Sequence, residues 1–141
     1  MRTRTIIISI AIAISLLIVA ACGRSGASGS EKVIKSTKSG DTTITLSSST
    51  GELKSGENDL MLSFTDASGK PVDVPAASLK FHMPAMAPMA EMNDAATLTK
   101  TDTPGKFRAR VNIEVAGTWE AMISFQGPRG TEQATMTVIA K

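Results

Sequence analysis

An all-β fold, an antiparallel β-sandwich or small barrel, is what this sequence predicts, on three observations. Stretches of alternating apolar and polar residues recur through most of the chain, and Gly, Pro, Asp and Ser cluster between them. The stretches are short and follow one another at roughly 8–12 residue spacing. No segment of useful length carries the 3.6-residue apolar period of an amphipathic helix.

Thr42-Thr43-Ile44-Thr45-Leu46-Ser47 alternates, and Asp59 to Thr65 does so with Leu60, Leu62 and Phe64 on one face. Asp66-Ala67-Ser68-Gly69-Lys70-Pro71 then reads as a turn, because Asp, Gly and Pro each favour one. Ser78 to Met83 predicts a further strand, with Leu79, Phe81 and Met83 on one face and His82 on the other. Gly105 to Val111 turns Phe107, Ala109 and Val111 inward. Gly117 to Phe125 does the same with Trp119, Ala121, Ile123 and Phe125, which makes Trp119 and Phe125 core anchors. Met61 and Met122 fall on the face opposite their apolar neighbours. After the turn Gly127-Pro128-Arg129-Gly130, a threonine-rich last strand runs from Thr131 to Ala140.

Ahead of this domain the chain carries an export signal. Arg2 and Arg4 precede an apolar run from Ile6 to Val19, interrupted only by Ser9 and Ser15. The run is shorter than the about 20 residues that a membrane span needs, and it ends in Val19-Ala20-Ala21-Cys22-Gly23. That order of charge, apolar core, small residues and cysteine resembles a bacterial lipobox, with cleavage before Cys22 and a lipid anchor on it. Cys22 is the chain's one cysteine, so no internal disulfide competes for it. The division expected is residues 1–21 as signal peptide, 22–31 as lipidated cysteine and flexible Gly/Ser linker, and 32–141 as the folded domain. Such a protein sits in the cell envelope, anchored to the membrane through Cys22 and facing the periplasm or the extracellular side. Gly23 lacks the aspartate that retains lipoproteins at the inner membrane, which leaves outer-membrane sorting open in a Gram-negative host.

Processing also removes the excess positive charge. The whole chain carries 15 basic and 13 acidic side chains, and loss of Arg2 and Arg4 brings the two into balance. A neutral domain has no electrostatic footprint for nucleic acid, so no nucleic-acid partner is expected.

The chemistry concentrates in Phe81-His82-Met83-Pro84-Ala85-Met86-Ala87-Pro88-Met89-Ala90-Glu91-Met92. Half of the eight methionines and the single histidine lie there. Pro84 and Pro88 exclude a helix, and a spacing of three alternates faces along a strand, so the methionines cannot all be core residues. In a polyproline II conformation consecutive sulfurs would stand roughly 9 Å apart, too far for one ion, so a loop that folds back is the expected form. Thioether sulfur is soft and selects Cu(I), with Ag(I) as its chemical mimic. It needs no deprotonation and forms no disulfide, which suits an oxidising compartment. The candidate ligands are His82, Met83, Met86, Met89 and Met92, of which three or four should serve one ion. Cu(II) at His82 with Glu91 or Asp94 is the lesser option for want of nitrogen donors, and zinc is disfavoured for the same reason.

At Met83-Pro84-Ala85-Met86, Gly105-Lys106-Phe107 and Ala116-Gly117-Thr118-Trp119 the chain resembles the YtkA-like family of small exported domains. That family is related to FixH-type proteins and to copper-handling β-sandwich domains. The resemblance runs from about Asp41 to Ile139 and implies an immunoglobulin-like sandwich with a role in copper handling. The partners it implies are proteins of copper transport, resistance or oxidase assembly. The chain has alanines and a proline where members of the family often carry glycine or further histidines, a departure that favours Cu(I) over Cu(II).

No catalytic function is expected, because no Ser-His-Asp or Cys-His set and no phosphate-cradling glycine loop is present. The leading expectation is a lipid-anchored, extracytoplasmic Cu(I) chaperone or buffer acting in copper homeostasis or oxidase assembly. The alternative is a non-metal interaction domain whose methionine loop is an adaptable apolar contact surface. A third is a sacrificial cluster that absorbs oxidants.

Overall fold

The structure, a computed structural model, describes residues 30–141. Cys22 and the export signal lie outside the described residues. Among the described residues nine strands form two antiparallel sheets: β1 (Lys32–Ser39), β2 (Thr42–Ser48), β3 (Gly56–Thr65), β4 (Ala77–Met83), β5 (Met92–Ala95), β6 (Thr97–Lys100), β7 (Lys106–Ile113), β8 (Gly117–Gly127) and β9 (Gly130–Ala140). One sheet runs β1-β2-β3-β7-β6 and the other β5-β4-β8-β9. Without the added edge strand β1, this is the ABED sheet facing a C′CFG sheet of the immunoglobulin fold. The expected fold class holds, and of the two forms left open by the alternation it is the sandwich.

The alternation sets which face each strand buries. Ile44 and Leu46 on β2, Leu60, Leu62 and Phe64 on β3, and Phe107, Ala109, Val111 and Ile113 on β7 form one wall of the core. Leu79, Phe81 and Met83 on β4, Trp119, Ala121, Ile123 and Phe125 on β8, and Met136, Val138 and Ala140 on β9 form the other. Phe64 bridges the two sheets, with its ring centroid 4.9 Å from that of Phe125 and 6.0 Å from that of Phe107. The Trp119 indole is fully buried, and its N–H donates to the carbonyl of Val115 at 3.1 Å. That bond satisfies the one polar atom of the largest core side chain.

Three strands have no counterpart in the alternation pattern. β1 is an edge strand with mostly exposed side chains and an irregularity between Val33 and Lys35; with no buried face it shows no apolar period, and its lysines suit an unpaired edge. β5 and β6 are four residues each, too short for periodicity to register. Between them Ala96 turns the chain from one sheet to the other, its N–H donating to the carbonyl of Leu79 at 2.9 Å.

Two glycines are required by close approach. Gly105 has φ +67°, and a β-carbon there would stand 2.0 Å from the carbonyl oxygen of Val72. Gly117 has φ +150°, and a β-carbon there would stand 2.9 Å from the terminal methyl of Met83. Both belong to motifs picked out in the sequence, and both are needed for packing.

The candidate metal centre

The methionine segment is the hairpin that joins β4 to β5. β4 runs antiparallel to β5 with Met83 opposite Met92, His82 opposite Asn93, Phe81 opposite Asp94 and Lys80 opposite Ala95. Beyond Met83 the chain leaves regular pairing at Pro84 and closes at its tip, where Met86 and Met89 pair across the turn. The N–H of Met86 donates to the carbonyl of Met89 at 3.0 Å, and the N–H of Met89 donates back to Met86 at 2.5 Å. Ala87 and Pro88 make the turn, with a cis peptide bond between them.

A spacing of three thus acquires a meaning that a polyproline II reading does not give it. In a turn closed by residues i and i+3, those two residues face each other, with Cα atoms about 5.5 Å apart in a pair that exchanges both hydrogen bonds. Met86 and Met89 are 56% and 40% exposed, so two thioethers stand side by side in water at the tip. The fold-back expected of the segment is present.

The other two methionines form a second cross-strand pair at the base of the hairpin, and it faces the opposite environment. Met83 is 2% exposed and belongs to the hydrophobic core, while Met92, directly opposite, is half-buried against it. Four methionines in a row therefore split into an outer pair and an inner pair. The candidate set His82, Met83, Met86, Met89 and Met92 does not converge on one point: Met83 packs inside the sandwich, on the face of β4 opposite His82.

His82 lies half-buried on the outer face of its sheet, between Asn93 on β5 and Glu120 on β8. Its Nδ1 is 3.1 Å from Oδ1 of Asn93, and Nδ2 of Asn93 donates to Oε1 of Glu91 at 3.0 Å. Neither Asn93 nor Glu120 stood out in the sequence as a neighbour of His82. Strand register supplies them, and a four-residue strand with no apolar period gives no advance signal of it. Asp94 belongs to the other face of β5, where Oδ2 accepts from the N–H of Glu114 at 3.3 Å. That separates it from His82 and removes it from any shared site with the imidazole.

Among the described residues no group of three or more His, Cys, Asp or Glu side chains is placed to hold a metal ion. The donors gathered around this hairpin are thioethers with one imidazole, a set that suits a soft monovalent ion and not a hard or borderline divalent one.

The chain matches the model of the YtkA-like family over residues 36–124. It belongs to the YtkA-like family. Neither the curated proteins nor the solved structures give a match to it. The YtkA-like match runs from within β1 into β8 and includes the whole methionine hairpin, Gly105 and Gly117. Within the YtkA-like domain, two of the motifs that carried the resemblance touch: the side chain of Met83 rests against Gly117.

Proposed function

We propose that this protein is a lipid-anchored, extracytoplasmic Cu(I) carrier, a chaperone or buffer that takes up and passes on copper through the tip of its methionine hairpin. The observation that carries the reading is the pairing of Met86 with Met89, both exposed and held opposite each other by reciprocal backbone hydrogen bonds. Hairpins close readily without methionine, and two large thioethers in water at a tip serve no packing purpose. In this reading Met86 and Met89 supply the first two sulfurs. His82 is the nitrogen donor, while Met83 and Met92, turned inward against the core, anchor the base of the hairpin.

Neutral thioethers in an open, solvent-facing site release their ion more easily than thiolates, which suits transfer to a partner of copper transport, resistance or oxidase assembly. Anchoring through Cys22 would keep the carrier at the membrane surface where such partners work.

The test is competition for Cu(I) between the full chain and a chromophoric chelator, with Met86→Leu/Met89→Leu as the comparison. Leucine keeps the apolar surface and removes sulfur, so loss of competition with an unchanged fold is the expected result. Equally poor competition by both proteins would sink the copper reading and favour an apolar contact surface, which the leucine variant retains; equally strong competition would take the ion away from Met86 and Met89.

A further inference from the structure

The Glu91–Asn93–His82 chain decides which ring nitrogen of the histidine is free. A carboxylate is an acceptor only, so the Asn93 amide must turn its NH2 toward Glu91. That leaves the amide oxygen facing the imidazole, in agreement with the 3.0 Å and 3.1 Å contacts. An amide oxygen cannot donate, so Nδ1 of His82 must carry the proton in the neutral ring. Nε2 is then the nitrogen with the free lone pair.

Each member of the chain is held by backbone. His82 and Asn93 are directly opposed in the β4–β5 register, and Glu91 and Asn93, two residues apart, project to the same side of an extended chain. Met92 between them points inward and packs against the core, which fixes the direction in which Asn93 leaves the strand. A histidine with one nitrogen tied to a carbonyl oxygen and the other without a hydrogen-bond partner among the described residues is the arrangement that presents a ring to a metal in a defined tautomer and orientation.

We infer that Asn93 is a positioning residue for the metal site: it locks His82 in the Nδ1–H tautomer so that Nε2 is the copper-binding nitrogen, and Glu91 orients the Asn93 amide. This rests on the proposed Cu(I) reading for its purpose, although the tautomer itself does not.

The experiment uses the full chain in detergent with 15N-labelled histidine, which gives one pair of ring signals because the chain has one histidine. Long-range 1H–15N correlation above pH 8 reports the tautomer of the neutral ring, and Ag(I) is then added as the probe. The wild type should show Nδ1 protonated, and Ag(I) should move the Nε2 signal together with the methionine methyls. Asn93→Leu should release the tautomer and weaken Cu(I) binding roughly 10–100-fold, the usual cost of losing such a support. Asn93→Asp, which still offers an acceptor oxygen, should keep both.

A wild-type ring protonated on Nε2 overturns the inference. So does Ag(I) that moves the methyls and leaves Nε2 unmoved, because the copper reading then survives without His82. Methyls and ring that both ignore Ag(I) sink the copper reading itself, while a Nδ1–H signal in the same sample still reports what Asn93 does. A purely structural Asn93 would lower stability in Asn93→Leu and leave the tautomer where it was.

Discussion

The terminal methyl of Met83 stands 2.9 Å from the point a β-carbon on residue 117 would occupy. Met83 lies there without displacement because residue 117 is glycine, and a β-carbon would push its methyl aside. The contact ties the root of the methionine hairpin to the first residue of β8, and through the Gly117–Ala140 pair to the end of β9. A rigid root is what allows the tip to project into water without loosening the sandwich.

Gly117→Ala should therefore destabilise the domain by about 1–3 kcal/mol, from the positive φ and the displaced Met83 methyl. Gly105→Ala should cost more. Its β-carbon meets the backbone oxygen of Val72 at 2.0 Å, and backbone cannot swing aside as a methionine methyl can. Denaturant midpoints of the two variants check the order; a Gly105→Ala protein as stable as Gly117→Ala would contradict it.

The two methionine pairs should respond in opposite ways to truncation. Met83→Ala opens a cavity in a closed core and should cost about 2–5 kcal/mol. Met86→Ala removes an exposed side chain and should stay within about 0.5 kcal/mol. For Cu(I) affinity the ranking should reverse. Met83→Leu, volume-conserving and tolerated, should leave affinity nearly unchanged, while Met86→Leu should weaken it by roughly tenfold, equivalent to about 1.4 kcal/mol. An affinity loss in Met83→Leu as large as that in Met86→Leu would place Met83 among the ligands.

Glu132 should give the fold part of its acid sensitivity. Its carboxyl is held below the ordinary 4.5 chiefly by the hydrogen bond from the Arg129 guanidinium, and next by that from the Ser39 hydroxyl. A depressed carboxyl value contributes stability that is present above the unfolded value and lost as pH falls through the folded one. The loss should begin near 4.5 and grow with further acidification. Thermal unfolding followed from neutral pH to about pH 3 should show a shallower acid decline in Glu132→Gln than in the wild type. Parallel curves would mean that Glu132 plays no part.

Cys22 carries a separate prediction. Cells expressing the wild-type chain and fed a labelled fatty acid should tag it and retain it in the membrane fraction, whereas Cys22→Ser should take no label. An unlabelled wild-type chain in the soluble fraction would remove the lipid anchor from the reading.

Much of the sandwich was legible because a buried face writes itself into the sequence. From Thr42 to Ala140 each strand predicted from alternation is present, with ends displaced by three residues at most, by three at Gly56 and by two at Ile113. β1, β5 and β6 escaped because they are edge or near-edge strands with little to bury. The same blindness hid part of the candidate site. The methionines and His82 announce themselves by residue type, but Asn93 is an unremarkable polar residue until β5 is laid against β4. Glu120, 38 positions from His82 in the chain, becomes its neighbour through the pairing of β4 with β8.

The sequence by itself determined that the domain is all-β and that its soft donors are concentrated in one proline-interrupted segment. Local spacing and side-chain chemistry carry both, and neither depends on what lies across the fold. Only the tertiary structure decided how those donors are shared out. The β4–β5 register places Met83 and Met92 inward, against a core that spans both sheets, and leaves Met86 and Met89 paired in water at the tip. It also sets His82 against Asn93. Which face of a strand is wet is fixed by what packs against the other face, and no single stretch of chain contains that information.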